Sequence, residues 1–218
     1  MTTPTIALIS ATPLAIDPAQ QALRTRLPDY QLWNILDDRL LADAKARGVT
    51  PDLHRRMKRL IEHALDGGAA AILLTCSLYG FVTADYSHSP VPVLPPDEAA
   101  FDDVARSQAQ GVLVIGSLQA AAQDSADRLS TYLQHSKRAT KVLSAAVPEA
   151  AEAAHSGDPD LLANILATAV GQAPEGYAVF LAQYSLGPAV RLLAERTNRQ
   201  VFSGPSSAAM KLAATLRQ

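Results

Sequence analysis

Cys76 is the only cysteine in the chain, and it closes an apolar run in the stretch "ILLTCSLYG". A thiol of ordinary pKa, about 8.5, can take up and return a proton near neutral pH, or attack an electrophilic carbon. Free cysteines are also often inert core fillers, so the neighbours decide. Thr75 and Ser77 flank the thiol with hydroxyls. The corresponding place in the second half of the chain reads "FLAQYS", with Gln183, Tyr184 and Ser185. Four further stretches are built alike: Ser10-Ala11-Thr12, Pro95-Pro96-Asp97-Glu98, Gly116-Ser117 and Ser203-Gly204-Pro205. Small hydroxyl side chains and free N–H groups at helix starts suit a carboxylate or another small anion. Singly, each reads better as a helix cap than as a ligand contact; together, six such stretches make a candidate site. Tyr79 and Tyr184 are the titratable side chains nearest Cys76 and Gln183. With an ordinary pKa near 10 they are donors and poor bases.

Positioning such stretches is work for strand ends. The periodicity predicts strands at 5–10, 30–36, 70–75 and 91–94, with helices around 17–27 and 52–68 and another opening at "PPDEAA". Asp97 and Glu98 are read there as helix-opening charges. In the long helix, Leu53, Met57, Leu60, Ile61, Ala64 and Leu65 recur at helical spacing, and Gly67-Gly68 ends it. The pattern then begins again. Strands are predicted at 111–117, 140–146, 177–183 and 200–205, with helices over "LQAAAQDSADRLSTYLQ", 158–173, "GPAVRLLAERT" and "SSAAMKLAATLR". Near-continuous apolar strands alternating with helices mean a parallel sheet covered on both faces.

The halves repeat. Leu8 corresponds to Val114, Cys76 to Gln183 and Val93 to Val201, offsets of about 106 to 108. The expected organisation is two similar α/β units, residues 1–100 plus 206–218 carrying Cys76 and residues 101–205 carrying Gln183. Open α/β sheets bind ligands beyond the carboxyl ends of their strands, so the six stretches are expected to line a cleft between the units.

Other function classes find little support. The formal net charge is −2, which argues against nucleic acid and anionic membranes as partners. The basic run "HRRMKR" at 54–59 has acidic residues on both sides and reads as a solvated helix face. His54 and His63 lie on that helix and are read as facing solvent. His88, in "DYSHSP", is read as a surface-loop residue, with a lid over the site as the sharper alternative. The histidines show no HExxH and no pairing with Cys76 at metal spacing, and neither GxGxxG nor a Walker motif occurs, so a metal or nucleotide site has little support. A lone thiol fits a reducing compartment, and the first apolar run reads as a strand rather than a signal peptide. Together they point to a cytoplasmic protein without a membrane span.

The order and spacing of "ILLTCSLYG", "VPVLPPDEA", "VFLAQYSLGPA" and "VFSGPSSAAMKL" resemble the aspartate/glutamate/hydantoin racemase superfamily over nearly the whole chain. That superfamily comprises cofactor-independent amino-acid racemases, hydantoin racemases, maleate isomerases and arylmalonate decarboxylases. The resemblance implies two Rossmann-like, flavodoxin-like parallel-sheet units related by a pseudo-twofold, with the active site in the cleft. It implies proton transfer at the carbon beside a carboxylate of a small acid, and it suggests a homodimer. Cys76 matches the first catalytic thiol. Ser10, Thr12, Thr75, Ser77, Ser117, Gln183, Tyr184 and Ser185 become candidate substrate-binding residues. The chain departs from the family at the second thiol, where Gln183 stands, and two residues on, where Ser185 replaces a Glu or His. The expected function is a racemase or isomerase using Cys76 as acid/base or nucleophile. The alternatives are a single-thiol decarboxylase of a malonate-like acid and a non-catalytic carboxylate binder.

Overall fold

The computed structural model describes residues 3–217. Two compact units divide the chain: one runs to Glu98 and adds the stretch from Ala208, the other is Ala99–Ser207. The first unit holds β1 (Thr5–Ser10), α1 (Ile16–Arg26), β2 (Gln31–Leu36), α2 (Arg39–Arg47), α3 (Pro51–Asp66), β3 (Ala71–Leu74) and β4 (Val93–Leu94). α4 (Glu98–Arg106) leads into the second unit. There follow β5 (Gly111–Gly116), α5 (Gln119–His135), β6 (Lys141–Ala146), α6 (Glu149–Ser156), α7 (Pro159–Val170), β7 (Tyr177–Leu181), α8 (Val190–Thr197) and β8 (Val201–Ser203). α9 (Gly204–Thr215) returns the chain to the first unit.

Each unit is a four-stranded parallel sheet, in the orders β2-β1-β3-β4 and β6-β5-β7-β8. The apolar runs anticipated this, because strands covered on both faces cannot alternate polar and apolar residues. β3 is buried throughout, whereas the edge strand β2 exposes Gln31, Asn34 and Leu36. In both orders the chain reverses its direction of travel across the sheet between the two central strands. That reversal opens a crevice at their carboxyl ends.

The two sheets share their register. Ile9 pairs with Leu74 in one and Ile115 with Leu181 in the other. Thr75 N–H donates to the Ile9 carbonyl at 3.0 Å, and Ala182 N–H to the Ile115 carbonyl at 2.9 Å. Asp37 N–H donates to the Ser10 carbonyl and Val147 N–H to that of Gly116. The helices before the third strands are also capped alike. The Thr50 hydroxyl accepts from Leu53 N–H ahead of Pro51, and the Asp158 carboxylate accepts from the N–H groups of Asp160 and Leu161 around Pro159.

Two helices, α2 and α6, were not anticipated. Each is short, and each buries only two positions, Leu40 and Ala44 in one, Ala150 and Ala153 in the other. So few buried side chains, three of them alanines, leave no period to read. Strands β4 and β8 are also shorter than the sequence pattern predicts, because Val91 and Pro92 precede the ladder and Gly204 and Pro205 already belong to α9.

Candidate active site

The first unit builds its site at the carboxyl ends of β1 and β3. Ser10 ends β1, Thr75 follows β3, and their hydroxyls hydrogen-bond at 2.9 Å. Both are buried, Ser10 completely. Cys76 comes next with extended backbone, φ −118° and ψ 115°, and then the chain turns into a 3-10 segment, Ser77–Tyr86. Runs of 3-10 helix beyond three or four residues are uncommon. This one is held by backbone and side-chain bonds. Tyr79 N–H donates to the Cys76 carbonyl, and the Tyr79 hydroxyl donates to the Leu40 carbonyl of α2 at 2.9 Å. Asp85 pairs with Lys58 and His54, both on α3, at 3.2 Å. The hydrogen bond and charge of Lys58, with those of His54, hold the Asp85 carboxyl below its usual range.

Cys76 itself retains 9% of its surface. It belongs to the apolar cluster formed by Ile72 and Leu74 of β3, Leu40 of α2, Leu53, Met57 and Ile61 of α3, and Tyr79 and Val82. The thiol is thus a core group at the rim of its sheet. Tyr79 is fully buried, and burial, reinforced by the neighbouring Cys76, pushes its phenol up to about 12. It can neither serve as a base nor release a proton readily near neutral pH.

The second unit solves the same corner differently. Register places Gly116 and Ala182 where the first unit has Ser10 and Thr75. Neither can form a side-chain bridge. Instead Gln183, the counterpart of Cys76, folds its amide back so that Oε1 accepts the backbone N–H of Ser117 at 2.6 Å. Gly116 lies tightly against the start of α5, where an added Cβ would stand 3.0 Å from the Ala122 nitrogen. Gln183 has extended backbone, φ −132° and ψ 140°, and leads into a second 3-10 segment, Tyr184–Ala189, which feeds α8.

The other candidates fall around these two corners. Thr12 is half-buried just beyond β1, Ser77 half-buried after Cys76, Ser117 buried after β5, Tyr184 buried and Ser185 half-buried after Gln183. Thr12 does not cap the short 3-10 turn Pro13–Ala15 that it precedes. His88 is exposed. Two readings need correction. His54 is half-buried, bonds Asp85 and stacks its ring edge-on with Phe81, so it does not face solvent freely. The "HRRMKR" run is not a wholly solvated face either. Arg56 is engaged by Asp37 through two nitrogens, at 2.5 and 2.6 Å, and by Asp43 at 3.0 Å. Sequence reading missed Leu40, Asp37, Asp43 and Asp85, whose contacts with Tyr79, Arg56, Lys58 and His54 cross between elements and leave no local signal.

Among the described residues no three His, Cys, Asp or Glu side chains gather to hold a metal ion, and no helix is long and apolar enough to cross a membrane.

No family model and no curated protein sequence matches the chain. Solved structures do. A glutamate racemase from Bacillus anthracis superposes with a TM-score of 0.77 at 13% identity, over all of this chain and 83% of that one. The glutamate racemase of Thermus thermophilus, in complex with β-chloro-D-alanine, gives 0.69 at 18% identity, over 99% and 81%. An arylmalonate decarboxylase variant with a glycine changed to cysteine gives 0.57 at 20%, over 98% and 93%. The superpositions take in nearly all of this chain: it has the fold of these glutamate racemases and of arylmalonate decarboxylase.

Proposed function

We propose that the chain is a cofactor-independent enzyme of the racemase and isomerase type, acting at the carbon beside a carboxylate of a small acid. The observation that carries this reading is the position of the lone thiol. Cys76 stands where β3 ends at the reversal point of its sheet, in a fold that superposes on a glutamate racemase over 99% of this chain and 81% of that one. Its register counterpart, Gln183, cannot take a proton, and the raised, hydrogen-bonded phenol of Tyr79 does not replace a second base. Cys76 as thiolate removes the α-proton, the electron pair passes onto the carboxylate as an enediolate, and a proton returns to the carbon. If Cys76 returns it, configuration is retained; water delivering it to the opposite face inverts the centre, and the hydroxide left behind takes up the Cys76 proton through solvent, restoring the thiolate. Thr12, Thr75, Ser77, Ser117, Tyr184 and Ser185 are the proposed substrate-binding residues. Ser10, wholly buried, acts by holding Thr75.

A second reading is favoured by the same lone thiol. In a malonate-like acid the carbon–carboxylate bond breaks, CO₂ leaves, the electron pair stays as the enediolate, and one proton from Cys76 completes the reaction. A single titrating group suffices there.

Cys76→Ser tests both. Turnover of the substrate, found by screening amino acids, hydroxy acids and malonates in D₂O, should fall at least about a thousandfold while binding persists. Deuterium entering with inversion identifies a racemase, and deuterium entering only as CO₂ leaves identifies a decarboxylase. A protein that binds small carboxylates with no turnover, with or without the thiol, is a binding protein and overturns the proposal.

A further inference from the structure

Gln183 is defined by more than the thiol it lacks. A backbone N–H can only donate, so the atom that meets Ser117 N–H at 2.6 Å must be the amide oxygen. This removes the usual ambiguity between the oxygen and nitrogen of a glutamine amide. Nε2 is then the opposite end of the group, and it makes no hydrogen bond with the described residues. The side chain is half-buried, at the carboxyl end of β7 and the reversal point of its sheet. Accepting a hydrogen bond at Oε1 also draws electron density from the amide nitrogen and sharpens its N–H groups as donors.

We infer that Gln183 is a carboxylate-binding residue, donating from Nε2 to a carboxylate oxygen of a small acid at the carboxyl end of β7. Ser117 N–H is its positioning group, fixing the amide so that donors rather than the carbonyl face the anion. The inference rests on the proposed reading of the chain as an enzyme for small carboxylic acids, and it names how that site holds its anion.

Gln183→Glu is the discriminating variant. Glutamate has nearly the same shape and still accepts Ser117 N–H, so a purely structural role is preserved. It loses both N–H donors and places a negative charge toward the carboxylate. Titration calorimetry with malonate, maleate, D-glutamate and L-glutamate at pH 7.5 should show the Q183E affinity lowered roughly a hundredfold for the acids that the native protein binds. The melting temperature should stay close to native. Gln183→Met, which fills the volume and neither donates nor carries charge, should lose about tenfold and decides the matter if Q183E does not fold. Native-like affinity in the folded variants overturns the donor role alone. A native protein that binds none of the four acids overturns the carboxylate reading itself.

Discussion

Replacing Tyr79 with phenylalanine should make the protein less stable at neutral pH and more stable at strongly alkaline pH. The Tyr79 hydroxyl is fully buried and makes one hydrogen bond, to the Leu40 carbonyl at 2.9 Å. Losing such a bond costs about 1 kcal/mol, since Ala44, one helical turn on, can still use that carbonyl. The phenol titrates at about 12 in the folded protein against 10 in the unfolded chain. A raised folded pKa means that the native state holds the proton more tightly. The contribution is therefore complete below pH 10 and is lost as pH rises from 10 toward 12. The full loss is about 2.7 kcal/mol, and about 1.4 kcal/mol is gone by pH 11. Set against the 1 kcal/mol hydrogen bond, these numbers make the native and Y79F stability curves cross near pH 11. Urea denaturation at half-unit steps from pH 7 to 11.5 measures both curves, and the other titrating groups cancel in the difference. Curves that stay parallel across that range would refute the burial of this phenol and, with it, the argument that Tyr79 is unavailable as a base.

Two other perturbations probe the corners of the sheets. Ser10→Ala should cost about 1–2 kcal/mol by stranding the Thr75 hydroxyl, and Thr75→Val about as much, while the double variant costs clearly less than their sum. Strict additivity in a denaturation cycle would mean that the 2.9 Å bond is not made. Gly116→Ala should destabilise by about 1–3 kcal/mol, seen as a melting point lowered by several degrees, because the nearest atom is α5 backbone at 3.0 Å and cannot rotate away. Unchanged melting would show that α5 yields easily.

Much of the architecture is legible in the residues because it is local. Unbroken apolar runs such as "AILL" and "VLVI" specify strands buried on both faces, and buried parallel strands require helices as crossovers. Asp158-Pro159 announces a helix start through its own side chain. The repeat offset pairs Cys76 with Gln183 before any coordinate is known, since both are counted from equivalent strand ends. What a residue does at that end is decided by atoms distant in sequence. Arg56 reads as surface charge until β2 and α2 bring Asp37 and Asp43 against it. Tyr79 reads as a spare acid until α2, whose few buried positions leave no period, offers it the Leu40 carbonyl. Gln183 reads as a lost thiol until the register of β5 and β7 sets Ser117 N–H before its oxygen. The sequence by itself determined the eight strands, the longer helices, their repeat and the one thiol, because periodicity and chain counting are properties of neighbours. The tertiary structure decided which polar groups are committed and which end of the glutamine faces out. Hydrogen bonds between residues 39 or 66 positions apart leave no trace in the order of the letters.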